Sequence, residues 1–178
     1  MAELGEKTKK NLEDAFAGES QARNKYTYFA KVAQKEGFNY IARIFLETAD
    51  NESQHAKEEF KLLSGIGKTE ENIKAAADGE HFETEDMYPR MAKEAREEGN
   101  EEAAKLFDDI GKVEKHHEER YLKLLEMVKG GKVFERENEI MWKCEKCGHM
   151  HFGKKPPAAC PACKHAYNYF EPQDVCSF

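Results

Sequence analysis

Residues 48–55 read Thr48-Ala49-Asp50-Asn51-Glu52-Ser53-Gln54-His55, and residues 110–117 read Ile110-Gly111-Lys112-Val113-Glu114-Lys115-His116-His117. Each stretch ends in Glu-x-x-His, and the second pair follows the first by 62 positions. Steps of three and four residues return to one face of a helix. On that spacing Glu52 and His55 continue a stripe of Ile41, Phe45 and Thr48 that ends at Leu62, while Glu114 and His117 fall between Ile110 and Tyr121, with Leu124 and Val128 beyond. Chelating groups therefore interrupt faces that are otherwise apolar.

Outward from these pairs, apolar periodicity predicts four helices, at about 6–36, 39–64, 70–98 and 100–129, broken at Gly37, at Ser64-Gly65-Ile66-Gly67 and at Gly99. The first carries Leu12, Phe16, Ala22, Tyr26 and Phe29 on one stripe with Glu19 among them. On the third, Ile73, Ala76, Glu80, Glu83, Met87 and Met91 share a face. Five carboxylates and two imidazoles thus point inward. Ionised carboxylates are costly to desolvate unless they are paired or bound to metal, and no Lys or Arg stands at matching steps to pair them all. A cation is the simplest compensation. A single Glu-x-x-His is ordinarily a solvated helix pair; two at repeat positions, joined by three more stripe glutamates, are a ligand set.

The heights agree. Glu19 lies 18 residues before Gly37 and Glu52 lies 15 after it, while Glu83 lies 16 before Gly99 and Glu114 lies 15 after it. Each antiparallel hairpin so brings its ligands to nearly one level, and two hairpins facing each other would close one two-metal site. One Glu from each of two helices plus Glu-x-x-His from each of two others is the donor pattern of ferritin-like di-iron carboxylate bundles. Carboxylates with two imidazoles suit iron or manganese and accept zinc as well. Five glutamates with two ferrous ions leave one negative charge, as do two ferric ions with an oxo bridge, so a two-electron cycle would leave the buried charge unchanged.

The rest of the 178-residue chain fits one domain plus a small module. Charged residues make up 35% and apolar ones 39%, with a mean hydropathy of −0.88, as expected of long helices whose outer faces are charged. The absence of any long apolar run and of a signal-type start predicts a cytoplasmic protein without a membrane span. A net charge of −7 without a basic stripe argues against nucleic-acid binding. The composition changes near residue 130: all five cysteines fall in the last 35 residues and four of the five prolines in the last 23. Boundaries of 1–134 for the bundle and 135–178 for the tail follow.

In the tail, Cys144-Glu145-Lys146-Cys147 and Cys160-Pro161-Ala162-Cys163 are two knuckles separated by twelve residues, the spacing of a four-thiolate tetrahedral metal site. Iron and zinc both satisfy it. Trp142, Phe152, Tyr167, Tyr169 and Phe170 are expected to form the small core around it. Cys176 is left over as an inert thiol, and His149, His151 and His165 as solvated loop residues.

Over its whole length the chain resembles the rubrerythrins. The resemblance is carried by Ala17-Gly18-Glu19-Ser20-Gln21-Ala22-Arg23, the two Glu-x-x-His pairs, Gly79-Glu80-His81-Phe82-Glu83 with Met87-Tyr88-Pro89, and the rubredoxin-like four-cysteine tail. It implies a mainly α protein, a ferritin-like four-helix bundle followed by a small rubredoxin-like, β- and turn-rich metal-binding domain. It further implies a di-iron centre and a one-iron four-cysteine centre that together reduce hydrogen peroxide to water in oxidative-stress defence, with rubredoxin or an NAD(P)H-dependent reductase as electron donor, in a homodimer. By that analogy Glu52 and Glu114 bridge the irons, Glu19 and Glu80 are terminal ligands, His117 holds one iron, and the other exchanges Glu83 for His55 between oxidation states. Cys144, Cys147, Cys160 and Cys163 hold the tail iron, and Tyr26 and Tyr88 donate hydrogen bonds beside the bundle ligands. Lys164 departs from the glycine that rubredoxins usually carry after the second knuckle, so the turn there is in question. Two other readings share parts of this pattern: a ferritin-like iron-oxidising or storage protein, which needs no four-cysteine inlet, and a non-enzymatic module whose tail is a zinc ribbon.

Overall fold

The computed structural model describes residues 4–173, so Cys176 lies outside the described residues. Its contacts divide the chain into two units, residues 1–67 and 68–178.

The first unit is a helical hairpin of α1 (Glu6–Lys35) and α2 (Asn39–Leu62). Gly37 adopts φ +85 between them, and the Gly37 and Phe38 N–H groups close back onto the Gln34 and Ala33 carbonyls. That is the left-handed C-cap, which glycine enters without a Cβ penalty. The seam between the helices is made of small residues: Ala30 and Ala33 on α1, and Ala42, Ala49 and Ala56 on α2, all buried. The seven-residue spacing on α2 is that of a coiled-coil seam. Tyr26, Phe29 and Phe45 cluster beside it, and Phe16 stacks on Phe60 with centroids 4.8 Å apart.

The second unit opens with a hairpin of the same plan. α3 (Thr69–Phe82) runs through a π-helical turn, Glu83–Met87, into α4 (Tyr88–Glu97), and α5 (Glu101–Lys129) returns. Gly99 adopts φ +76 at the turn, and the Asn100 side chain caps α5 by accepting from the Ala103 N–H at 3.1 Å. The third helix, expected as one α-helix over 70–98, is therefore widened in its middle. Pro89 supplies a reason: it has no N–H for the Glu85 carbonyl, so the turn before it is free to open. Arg96 and Asp108 form a close ion pair between α4 and α5.

After residues 130–139 the chain forms a three-stranded antiparallel sheet of β1 (Ile140–Cys144), β2 (Met150–Gly153) and β3 (Phe170–Pro172), ordered β2-β1-β3. Trp142, Cys144, Cys160 and Phe170 form its core, with Phe134, Ile140 and Cys163 packed on it. The Trp142 Nε1–H donates to the Gly153 carbonyl at 2.9 Å. Three expected core residues are not in it: Phe152 is 60% and Tyr167 48% exposed, and half-buried Tyr169 lies against the His165 ring. Register explains the first, since Phe152 pairs with Met141, and alternation sends both to the face opposite Trp142. Tyr167 instead meets the edge of Phe134, with centroids 5.1 Å apart.

Candidate metal centres

Each hairpin gathers three donors in the same way. In the first, His55 Nδ1 lies 2.8 Å from Glu52 Oε2 and 3.9 Å from Glu19 Oε1; in the second, His117 Nδ1 lies 2.7 Å from Glu114 Oε2 and 3.7 Å from Glu80 Oε2. In each trio one ligand atom per residue lies within 4.8 Å of the others. The congruence follows from the repeat: i, i+3 spacing stacks the Glu and His of α2 and α5, and the antiparallel partner helix brings the third donor to their level.

The electrostatics of each trio call for a cation. A hydrogen bond shared with Glu52, together with burial and the Glu52 charge, raises the Glu19 carboxyl above its ordinary value. Burial, then the hydrogen bond and charge of Glu114, raises Glu80 in the same direction. Two carboxylates in contact must share either a proton or a positive ion. With imidazole Nδ1 beside them, this donor set fits iron, manganese or zinc.

The π-helical turn aligns the second trio with the first. Gly37 and Gly99 are 62 positions apart, as are Glu52 and Glu114 and also Tyr26 and Tyr88, whereas Glu19 and Glu80 are 61 apart. One residue more therefore separates Glu80 from its turn, and the π-helix between Glu80 and Tyr88 absorbs it. Glu83, at the start of that turn, corresponds to Ala22 in the first hairpin and is the second hairpin's additional carboxylate. It lies outside the 4.8 Å trio, yet its charge raises Glu80, and burial, then Glu83, Glu114 and Glu80, push the Tyr88 phenol up. Tyr88 thus keeps its proton beside these carboxylates. Gly111 lets α4 approach there, since a Cβ on it would meet Tyr88 Cβ at 3.3 Å. Tyr26 packs among rings, 6.3 Å from Phe29 and 6.1 Å from Phe45. The trios are not fully enclosed: the His55 side chain is 60% exposed.

Sequence reasoning passed over a group next to the second trio. Glu118 is buried, and its two oxygens meet His81 Nδ1 at 2.8 Å and Lys115 Nζ at 3.0 Å. The Lys115 ammonium, against burial and with help from His81, holds Glu118 below the ordinary carboxylate range. His81 follows Glu80 and Glu118 follows His117, so this bridge ties α3 to α5 at the ligand level. A signal was available, because Ala104, Gly111, Glu118 and Leu125 recur every seven residues as the α5 seam. Glu59, seven residues after Glu52, was also missed; its Oε2 is buried without a partner among the described residues.

The four thiols of the tail form the third group, again within 4.8 Å of one another. Sγ atoms are 3.7 Å apart for Cys144 and Cys163 and 3.6 Å apart for Cys147 and Cys160. A tetrahedron with metal–sulfur bonds of about 2.3 Å has sulfur–sulfur edges of about 3.8 Å, so the spacing is that of a metal cage. The two knuckles repeat at an offset of 16: the Cys144 and Cys160 N–H groups donate to the His149 and His165 carbonyls, and the Gly148 and Lys164 N–H groups to the Cys144 and Cys160 carbonyls. Gly148 has φ +75 and Lys164 φ +64, so the lysine makes the turn that the departure from glycine had put in question. Burial opposes ionisation of Cys160, but the Cys163 and Ala162 N–H groups and neighbouring thiols hold it down at about 6. The His149 N–H lowers Cys147, and hydrogen bonds to Cys163, Cys160 and Cys144 together with burial outweigh it, so that thiol is pushed up to about 12. A metal bound among the four sulfurs displaces the proton that Cys147 holds so firmly.

The rubrerythrin family model matches residues 10–125, and a model described as the rubredoxin-like domain of rubrerythrin matches residues 142–171. The chain belongs to the rubrerythrin family. Rubrerythrin of Porphyromonas gingivalis is 51% identical over 94% of this chain and 90% of its own length. Rubrerythrin of Nitratidesulfovibrio vulgaris and rubrerythrin-1 of Clostridium acetobutylicum are each 47% identical, over 94% of both chains. As in that oxidoreductase family, a Glu/His di-iron-type ligand set precedes a rubredoxin-like four-cysteine cluster. Among the described residues no helix is long and apolar enough to cross a membrane.

Proposed function

We propose that this rubrerythrin is a peroxidase that reduces hydrogen peroxide to two waters, taking two electrons and two protons per turnover. Residues 1–134 would carry the chemistry and residues 135–178 the electron inlet. The reading rests on the congruence of the two trios together with the four-thiol cage, because a storage or iron-oxidising protein has no use for a separate one-electron centre. Glu19, Glu52, His55, Glu80, Glu83, Glu114 and His117 would hold two irons, with Glu52 and Glu114 shared between them. When bound, the pair supplies two electrons at once, so that the O–O bond breaks without releasing a radical.

The chain's own residues do the rest. By the family likeness, His55 and Glu83 would serve as alternative ligands of one iron. The Tyr88 hydroxyl, held protonated by burial and by the Glu83 and Glu114 charges, is a hydrogen-bond donor toward the oxygens reduced there; Tyr26 has that role in the first hairpin. Cys144, Cys147, Cys160 and Cys163 would hold a single iron that passes electrons inward from rubredoxin or an NAD(P)H-dependent reductase. Anaerobically purified protein, chemically reduced, is expected to consume one peroxide per di-iron site in a stopped-flow experiment. Glu52→Ala and Glu114→Ala should lose both the bundle iron and that turnover while the red colour of the tail persists. Either variant keeping two irons and normal turnover sinks the shared-ligand assignment.

A further inference from the structure

Lys164 stands where the matching knuckle has Gly148, and at φ +64 its side chain opposes the backbone conformation it occupies. Strained residues that persist gather at functional sites. The Lys164 ammonium is also fixed in place: Nζ donates to the Pro161 carbonyl at 2.9 Å, so the side chain folds back over the loop between Cys160 and Cys163.

That carbonyl belongs to the same peptide unit as the Ala162 N–H, which donates to the Cys160 sulfur together with the Cys163 N–H. In a trans peptide the C=O and N–H point in opposite directions. A cation at the oxygen end therefore polarises the unit and makes its N–H a stronger donor at the sulfur end, and Cys160 is buried, which keeps that bond out of water. The first knuckle is built differently. Gly148 offers no side chain to the matching Glu145 carbonyl, and the Lys146 ammonium lies over the Tyr169 ring, 4.8 Å from its centroid. Two other lysines of the tail are neutralised by carboxylates, Lys143 by Glu171 at 3.2 Å and Lys155 by Glu135 at 3.0 Å.

We propose that Lys164 is a positioning residue for electron entry: acting through the Pro161–Ala162 peptide on the Cys160 sulfur, it raises the affinity of the four-cysteine centre for an electron. A ferric ion with four thiolates carries one negative charge and a ferrous ion with four thiolates carries two. The step adds one electron and moves neither proton nor ligand. The added charge is shared with the sulfurs, so a stronger hydrogen bond to one of them and a cation close by both favour the reduced form. A weaker one-electron donor can then load the tail. The proposal rests on the reading of the tail as a one-iron electron inlet.

Redox titration of the intact, iron-loaded protein tests this, with the red colour followed as dithionite is added stepwise. Lys164→Met keeps the length of the side chain and removes its charge. Its centre is expected to hold an electron about fivefold less tightly, which at about 59 mV per decade is a fall of about 40 mV in midpoint potential. Lys164→Arg, which keeps a cation, should stay near the wild-type value. Lys164→Gly relieves the strain and should fall like Lys164→Met while the tail gains stability, a divergence that a purely structural role would not produce; it also serves should the methionine variant fail to fold. Lys154→Met removes the same charge beyond the far end of β2 from the first knuckle and should leave the potential unchanged. A wild-type potential in Lys164→Met or Lys164→Gly overturns the proposal. So does an equal fall in Lys164→Arg or in Lys154→Met, since the effect would then belong to packing or to overall charge. Wild-type protein that stays colourless after iron loading sinks the one-iron reading, and this proposal with it.

Discussion

Lys164 holds the left-handed position that Gly148 fills in the matching knuckle, and a side chain there costs about 1–2 kcal/mol. The bond from Lys164 Nζ to the Pro161 carbonyl, 2.9 Å, returns part of that cost at an exposed site. Lys164→Gly is therefore expected to stabilise the tail by about 1 kcal/mol in denaturant unfolding, with the visible spectrum unchanged; a destabilised variant would show that the lysine bond outweighs the strain. The glutamates make a prediction of opposite character. Glu19 and Glu80 are raised above the ordinary 4.5, so above that pH each still holds a proton that a cation must displace. Divalent-metal affinity should climb with pH from about that value and level off above the raised ones. Titrating Mn(II) into apoprotein in weakly buffered solution should release protons, more at pH 5.5 than at 7.5. Without metal the sign for stability is the reverse: the native state binds more protons in this window, so that contribution falls as pH rises through it.

At the level of elements, the helix ends were legible wherever a glycine makes the left-handed cap, as Gly37 and Gly99 do. After α2 the cap is Ser64 instead, because the Phe60 ring claims the place beside Gly65, and sequence alone does not show that contact. The stripes that carry the expected ligands include Phe29, Ile41 and Leu62, which are 47%, 46% and 50% exposed, and the most buried residues of the helices are instead the alanines of a neighbouring seam, small enough for two helices to touch. The π-helical turn was present in the sequence only as an offset of 61 where the rest of the repeat keeps 62. A constant 3.6-residue step absorbs such a discrepancy silently and puts Glu83 on one stripe with Met87 and Met91. If the turn is what aligns Glu80, removing one residue from it, for example Glu85, should leave the helical circular dichroism intact. It should also rotate Glu80 by about 100° away from Glu114. Iron binding through the second hairpin is expected to be lost, with the four-cysteine colour retained; full iron content would mean that the turn has no part in placing the ligand.

For the molecule as a whole, the division between a helical part and a four-cysteine tail was readable from composition, since every cysteine falls after residue 143. What ties the two together is residues 130–139, a ten-residue tether that, on the proposed function, would keep the tail's centre at high effective concentration for a bundle site. That arrangement separates two rates. Replacing Cys144 and Cys147 with Ser removes half of the sulfur cage and leaves untouched both trios and the alanine seams that hold them. Chemically reduced variant should still consume one peroxide per di-iron site in a single turnover at the wild-type rate, because the electrons used are already in the bundle. Steady-state turnover driven by NAD(P)H and a reductase should fall by orders of magnitude, because each cycle then waits on an untethered donor. If both rates survive, the reductase reduces the bundle directly and the tail has another task; if both collapse, the four-cysteine centre is needed to build the site rather than to feed it.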